Sequence, residues 1–209
     1  MFDIKILTSF TIIAIVFVYH VNSCEKGQEI YQRGVFEDDI VTILKEHNRY
    51  RQNIMDGVVP GQPQGVGLNY LRWDEKLART AQHAADKCIF DHTVYVDARW
   101  DDKCGQSLYR AEKPFITQFH KYDYNWTRVI EHWYLEVHNY TYGPIRNEDN
   151  NLTGHYTQLV WADTELVGCG YVAYENENGT ITNNDVALLH VCHYGPPGNR
   201  GNYPPYELA

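Results

Sequence analysis

The chain has 209 residues and a formal net charge of -9, from 18 Lys and Arg residues against 27 Asp and Glu residues. This length corresponds to one domain with a proper hydrophobic core. We do not expect nucleic acids or anionic membranes as partners, because both are bound through clusters of Lys and Arg, which this sequence lacks.

The N-terminus has the pattern of a secretory signal peptide. Residues 6–19 are almost wholly apolar, Lys5 precedes them, and Val21-Asn22-Ser23 offers a small residue at a cleavage point. The apolar run is shorter than the roughly 20 residues that span a bilayer. We predict a signal peptide over residues 1–23, a mature chain that begins at or near Cys24, no membrane anchor, and a secreted, extracellular protein.

Four N-x-[ST] sequons gain meaning in an exported chain. A sequon that carries a glycan must lie on the protein surface. We predict that some of the four are occupied. They begin at Asn125, Asn139, Asn151 and Asn178.

The first predicted helix runs from Glu37 to Met55, after a lead segment over residues 24–35. Acidic residues fill its first turn and Gly57 follows its last, which are the start and stop signals of a helix. Its buried stripe is predicted at Ile40, Ile43, Leu44, His47 and Ile54. We therefore interpret His47 as a core histidine.

A second helix is predicted from the capping residue Asp74 through Lys87, after a loop over residues 58–67 that is rich in Gly and Pro. The predicted buried face contains Leu77, Ala81, Ala84 and Cys88. Because alanine side chains are small, this face predicts close packing against a neighbouring layer.

The sequence between residues 89 and 113 is ambiguous, apart from a short strand predicted over residues 106–109. A third helix is predicted from Trp126 to Tyr140, and a polar loop over residues 143–151 follows it. The buried stripe of this helix is predicted at Ile130, Trp133, Val137 and Tyr140.

Leu166–Tyr174 and Val186–Tyr194 have the composition of β-strands, and the polar stretch between them predicts a hairpin. The midpoint between Cys169 and Cys192 in the sequence lies near the middle of that stretch. Antiparallel pairing would place them opposite each other at a Cα separation of roughly 5 Å, which suits a disulfide.

Three further cysteines are Cys24, Cys88 and Cys104. Because a secreted chain matures in an oxidising compartment, we expect disulfide bonds among them. Any one pairing among them leaves a single thiol. That thiol is either free, in a monomer, or links two chains in a disulfide-bonded dimer.

Two short segments near the C-terminus resemble the signature sequences of a known family. Gly154–Trp161 reads GHYTQLVW and His190–Asn199 reads HVCHYGPPGN. In this order they resemble the two signatures of the CAP superfamily, which includes cysteine-rich secretory proteins, antigen 5 venom allergens and pathogenesis-related proteins. Lys45–Arg49 and Cys104–Leu108 are similar to the single-domain antigen 5 branch of arthropod venoms and saliva.

The resemblance implies a CAP domain over residues 36–209, of the α+β class. Its fold would be a three-layer α-β-α sandwich with a small antiparallel sheet, which also agrees with the predicted elements. The resemblance implies the same Cys169–Cys192 pair and a Cys24–Cys88 bridge, with Cys88–Cys104 as the local alternative. No cysteine-dense segment follows the second signature, so ion-channel block is not predicted.

The resemblance also implies a central cleft with two histidines and two acidic residues. Matched motif by motif, three of these are His92, His155 and Glu136, while the fourth position, acidic in many members, is Gln106. Neutral imidazoles are zinc ligands, but an uncharged Gln106 weakens the attraction for a dication. We expect weak Zn²⁺ binding by His92 and His155 at most, with no required cofactor. The alternative is a hydrogen-bonded cluster that organises the cleft floor.

We predict a binding role with no catalytic residues. The sequence contains no H-E-x-x-H motif and no G-x-S-x-G motif around Ser107. The resemblance implies a component of venom, saliva or host defence. Its expected partner is an extracellular protein or a small lipid or sterol. The alternative is a cation-dependent peptidase that uses the His and Glu residues of the cleft.

Some members of the family bind sterols or fatty acids between helices. The composition of this chain suggests a set of apolar and aromatic residues that would line such a groove, and ordinary packing is the alternative interpretation of the same residues. These residues are Phe115, Ile116, Phe119, Tyr122, Tyr140 and Tyr142.

Overall fold

The structure is a computed structural model that describes residues 23–100, 102–114, 125–145, 150–176 and 185–209. The predicted signal peptide lies outside these residues, apart from Ser23. So do the sequon at Asn178 and four residues of the suggested lipid groove, from Phe115 to Tyr122.

Nine strands occur in the described part of the chain. Their bounds are β1 Ile30–Arg33, β2 Gly65–Val66, β3 Arg72–Trp73, β4 Val96–Asp97, β5 Asp102–Lys103, β6 Gly105–Pro114, β7 Leu166–Asn176, β8 Asp185–Gly195 and β9 Glu207–Leu208.

Four α-helices and one 3₁₀ turn occur in the same residues. Their bounds are α1 Glu37–Met55, α2 Glu75–Ala85, α3 Trp126–Leu135, the 3₁₀ turn Glu136–Asn139 and α4 Asn150–Leu159.

The central sheet has the strand order β1-β7-β8-β6, and β3 adds a short parallel pair to the start of β7. The hairpin of β7 and β8 forms its middle, and β6 pairs with β8 over its whole length. The lead segment contributes β1 to this sheet, so it belongs to the same folded unit as the rest of the chain.

Helix α2 forms one outer layer. Asp74 caps it by accepting a hydrogen bond from the backbone N–H of Leu77 at 2.8 Å, as predicted. The helix lies so close to β7 that a Cβ atom on Gly168 would collide with the backbone of Ala78, and one on Gly170 with that of Gln82. Only glycine permits this approach. The short distance between α2 and β7 also explains why the buried face of α2 carries small alanine side chains.

The opposite face of the sheet packs on α1, α3 and α4, which completes the predicted three-layer α-β-α sandwich. Aromatic and branched aliphatic side chains fill this layer. Its fully buried members include Ile43, Ile54, Ile130, Trp133, Tyr156, Leu159 and Tyr171.

The observed elements differ from the predicted ones in several places, and helix α2 ends at Ala85 rather than at Lys87. Strand β6 is ten residues long rather than four, because its pairing with β8 continues to Pro114. The end of the third helix is a 3₁₀ turn, a common way for a helix to finish. The first signature segment, to which no element was assigned, lies mostly in helix α4.

Both disulfides follow the sequence analysis. Cys169 and Cys192 face each other in the β7–β8 register with their Cα atoms 4.1 Å apart. Cys24 is bonded to Cys88, which fixes the lead segment to the end of α2. The local Cys88–Cys104 alternative is wrong, and Cys104 is the unpaired, half-buried thiol.

Within the described residues, no helix combines the length and the apolar composition that crossing a membrane requires.

Candidate cleft at the edge of the sheet

The first pair of predicted cleft residues, Glu136 and His155, joins the 3₁₀ turn to α4. The Nδ1 atom of His155 lies 2.6 Å from Oε1 of Glu136. The second carboxylate oxygen of Glu136 accepts the backbone N–H groups of His155, at 2.9 Å, and Tyr156, at 3.1 Å. Glu136 is therefore fully engaged in orienting an imidazole and satisfying backbone donors inside α4.

This pair also covers the free edge of β6. Because Glu136 accepts the proton on Nδ1 of His155, Nε2 has a lone pair, and the Leu108 N–H points at it over 3.5 Å. The indole N–H of Trp133 donates to the Leu108 carbonyl at 3.0 Å. The His155 and Trp133 rings stack with centroids 5.9 Å apart. Together they satisfy both outward backbone groups of an edge-strand residue.

The second cleft network is centred on Gln106. Its amide oxygen lies 2.8 Å from His92 Nδ1 and 3.1 Å from the backbone N–H of Thr93. Its amide nitrogen lies 3.0 Å from the Thr93 hydroxyl and 2.9 Å from His193 Nε2. One amide thus connects the exposed His92 with the buried His193.

The direction of every hydrogen bond in this network can be assigned. The Thr93 N–H can only donate, so the atom it meets is the oxygen of Gln106, and His92 must donate from Nδ1. The Gln106 nitrogen then donates to Nε2 of His193, whose Nδ1 donates to the Thr80 hydroxyl at 2.8 Å. Thr80 donates in turn to the Leu77 carbonyl at 2.9 Å.

His193 is a member of the cleft network that the sequence analysis missed. Burial lowers the pKa of its imidazole to about 4, so the ring is neutral at physiological pH. It also stacks on Tyr95 at 6.0 Å. The available signal was the hairpin register, because a residue next to Cys192 on β8 lies beside Gln106 once β6 is placed against β8.

The donors present do not make a complete metal site. Among the described residues, no group of three or more His, Cys, Asp or Glu side chains is arranged to hold a metal ion. Zinc in proteins usually has at least three protein ligands. Nδ1 of His92 faces an acceptor, which leaves its Nε2 as the ligand atom, whereas Nε2 of His155 already faces the Leu108 N–H. The two rings also belong to separate hydrogen-bond networks.

The cleft also offers no accessible hydroxyl nucleophile at Ser107. This side chain has no exposed surface, and it lies on β6 in register with Cys192, inside the sandwich. A serine nucleophile needs both access to substrate and a neighbouring base.

Among the other histidines, His47 occupies the core position that was predicted for it. His47 is buried, with Nδ1 2.8 Å from the Ile43 carbonyl and Nε2 3.0 Å from the Tyr194 hydroxyl. Burial lowers its pKa to about 4. His190 lies on the opposite face of β8 from His193 and contacts Trp126. His83, His132 and His138 are exposed, and His120 lies outside the described residues.

Two of the predicted sequons can be located with their side chains. Asn125 is exposed and caps α3 by accepting the Arg128 N–H at 3.1 Å. Asn139 is exposed at the end of the 3₁₀ turn. Asn151 lies in the first turn of α4, although the structure does not describe its side chain.

The described members of the suggested lipid groove have packing roles. Tyr140 is buried against Tyr156, and its hydroxyl donates to the Gly143 carbonyl at 2.7 Å. Tyr142 packs on Tyr206 with ring centroids 5.0 Å apart.

Comparison with known proteins identifies the family. Residues 44–194 match the family described as CAP, the cysteine-rich secretory protein family. This chain belongs to the CAP family. A solved structure described as NaASP2 with Zn²⁺ is 21% identical and has a TM-score of 0.61. It covers 84% of this CAP chain and 88% of that one, and at this identity the likeness establishes the shared fold.

Two curated relatives are named venom allergen 5. The protein from Tityus serrulatus is 36% identical over 180 residues, which are 84% of this CAP chain and 41% of that protein. Venom allergen 5.01 from Dolichovespula maculata is 36% identical over 182 residues, 83% and 74% of the two chains. The chain is thus similar to venom allergen 5 proteins, although it spans less than half of the Tityus protein.

Proposed function

We propose that this CAP chain is a secreted, non-enzymatic binding protein of the venom allergen 5 type. One observation carries the proposal: the ionisable cleft residues are used to build the fold. Glu136 accepts three hydrogen bonds within the chain, Gln106 fixes two imidazoles, and Ser107 is buried. Glu136 and Gln106 therefore hold the imidazoles in place, and the buried Ser107 provides no accessible nucleophile beside them.

Secretion is supported by the apolar leader and by the two disulfides, since such bonds persist in oxidising compartments. Cys104 supports a monomer. It is half-buried, and burial raises the pKa of its thiol to about 11, so very little of the reactive thiolate is present at neutral pH.

The proposed partner is an extracellular protein or a small lipid, and zinc binding by His92 and His155 would be weak. One structural neighbour is described with Zn²⁺, which supports testing zinc here. The chain's own donors favour low affinity, because Gln106 replaces a carboxylate beside His92.

The competing function is a peptidase that uses the cleft, and it can be tested directly. We expect the secreted chain from Cys24 onward to show no turnover of protein or peptide substrates above the blank, with or without added zinc. His155→Ala and the exposed control His138→Ala should give the same blank value, with circular dichroism reporting the fold. Turnover that His155→Ala abolishes in a folded protein, and that His138→Ala retains, would overturn the proposal.

A further inference from the structure

An aromatic groove of about 880 Å³ lies near the C-terminus, apart from the histidine networks. Trp161 and Tyr206 contribute to its lining with only 5% and 2% of their surfaces exposed. Tyr203 is 69% exposed at the same groove. A large aromatic side chain left in solvent beside a cleft is a common feature of binding surfaces.

The walls of this groove are rigid. Four prolines line it, Pro196, Pro197, Pro204 and Pro205, and their rings restrict the backbone. Two backbone hydrogen bonds fix the C-terminal wall, from Ala162 N–H to the Pro205 carbonyl at 2.8 Å and from Ile145 N–H to the Tyr203 carbonyl at 3.0 Å. A rigid site loses little conformational entropy when a ligand binds.

The charges of the groove favour a cationic ligand. Asp163 and Glu207 line it, and neither forms an ion pair with a described side chain. The lining cation, Arg200, is neutralised by its ion pair with Asp102. Two unpaired carboxylates repel the head group of a fatty acid and attract Lys or Arg, and nearby aromatic faces add cation–π attraction.

We propose that this groove binds an extended, proline-rich peptide segment that carries a basic residue. The inference rests on the proposed function and names the binding surface and the chemistry of the protein partner. Aromatic-lined grooves recognise polyproline II segments, which are already ordered before they bind. Tyr203 and Val66 leave the groove open along its rim, which suits an extended chain better than an enclosed small molecule.

The test is a fluorescence anisotropy titration with a labelled oligoproline peptide that contains two arginines. Reference peptides replace the arginines by glutamate, or the prolines by glycine and serine. We expect saturable binding of the first peptide, at least about tenfold tighter than either reference and weakened by salt.

Groove variants then locate the site. Tyr203→Ala should weaken binding about tenfold, while Tyr70→Ala, at an exposed tyrosine elsewhere, should not. The pair Asp163→Asn and Glu207→Gln should remove the preference for arginine over glutamate. The double variant Glu37→Gln and Glu131→Gln, at exposed acidic residues of α1 and α3, removes the same two charges elsewhere and is the control for net charge.

Absence of saturable binding, or binding that the groove variants do not change, would overturn the inference. Oleate binding that Tyr203→Ala abolishes, without saturable binding of the arginine peptide, would also overturn it, because the groove would then be a lipid site. These failures leave the proposed function standing. Peptidase turnover that depends on His155 would sink that function without involving this titration.

Discussion

At the scale of single residues, Gln106 does what a carboxylate in its place would not do. Its oxygen accepts hydrogen bonds from His92 and Thr93, and its nitrogen donates to Nε2 of His193. A glutamate offers acceptors only, so His193 would have to supply the proton. The amide therefore orients both imidazoles and fixes the tautomer of the buried His193, and it adds no negative charge to the cleft.

Gln106→Glu should raise the affinity for Zn²⁺ by about tenfold or more, since a carboxylate attracts a dication more strongly than an amide. Calorimetric titration of zinc into the two proteins measures the change. Gln64→Glu adds the same charge at an exposed position outside the cleft. If the two variants bind zinc equally well, Gln106 does not lie at the cation-accessible part of the cleft.

At the scale of elements, α4 is held by partners remote in sequence. Its buried positions include the polar residues Thr153, Thr157 and Gln158, so apolar spacing gave no helix signal. Glu136 satisfies its backbone donors, and the buried guanidinium of Arg51, from α1, satisfies acceptors at its C-terminal end. Arg51 donates to five carbonyls, those of Asn69, Leu159, Trp161, Ala162 and Thr164.

Arg51→Lys should lower the free energy of unfolding by about 3 kcal/mol, because an ammonium has three donors and cannot reproduce the planar fork. Burial lowers the pKa of Arg51 only to about 9, so the native group is a cation at neutral pH. Urea unfolding gives the change. Arg49→Lys, two residues earlier on the same helix and half-exposed beside Glu46, should cost less than about 1 kcal/mol. Equal losses would contradict the role given to Arg51.

At the scale of the whole molecule, the strongly periodic features were predictable. The bounds of α1, the Asp74 cap, the hairpin and the Cys169–Cys192 pair all follow from local patterns. The Gln106–His193 contact and the Arg51 cluster do not, because each depends on which layers of the sandwich meet. His155 was assigned to the cleft by family resemblance, yet its role at the Leu108 edge required the register of β6.

Buried imidazoles in both layers also set the pH dependence of stability. The unfolded chain binds protons on His47 and His193 below their ordinary pKa of 6.5, whereas the folded chain does so only near pH 4. Their contribution is therefore complete above about pH 6.5 and is lost as the pH falls towards 4. Arg99 lowers the pKa of Asp97 below the ordinary 3.8. The stability that this carboxylate contributes is therefore complete above about pH 3.8 and is lost as the pH falls further.

The most direct measurement is a pH titration of the ¹⁵N-labelled imidazoles by NMR, from about pH 7 to about pH 5. We predict that His47 and His193 remain neutral throughout, and that the neutral forms of His92, His155 and His193 carry the proton on Nδ1. Charging of His193 with an ordinary midpoint near pH 6.5, or an Nε2-protonated His155, would contradict the networks on which the binding role rests.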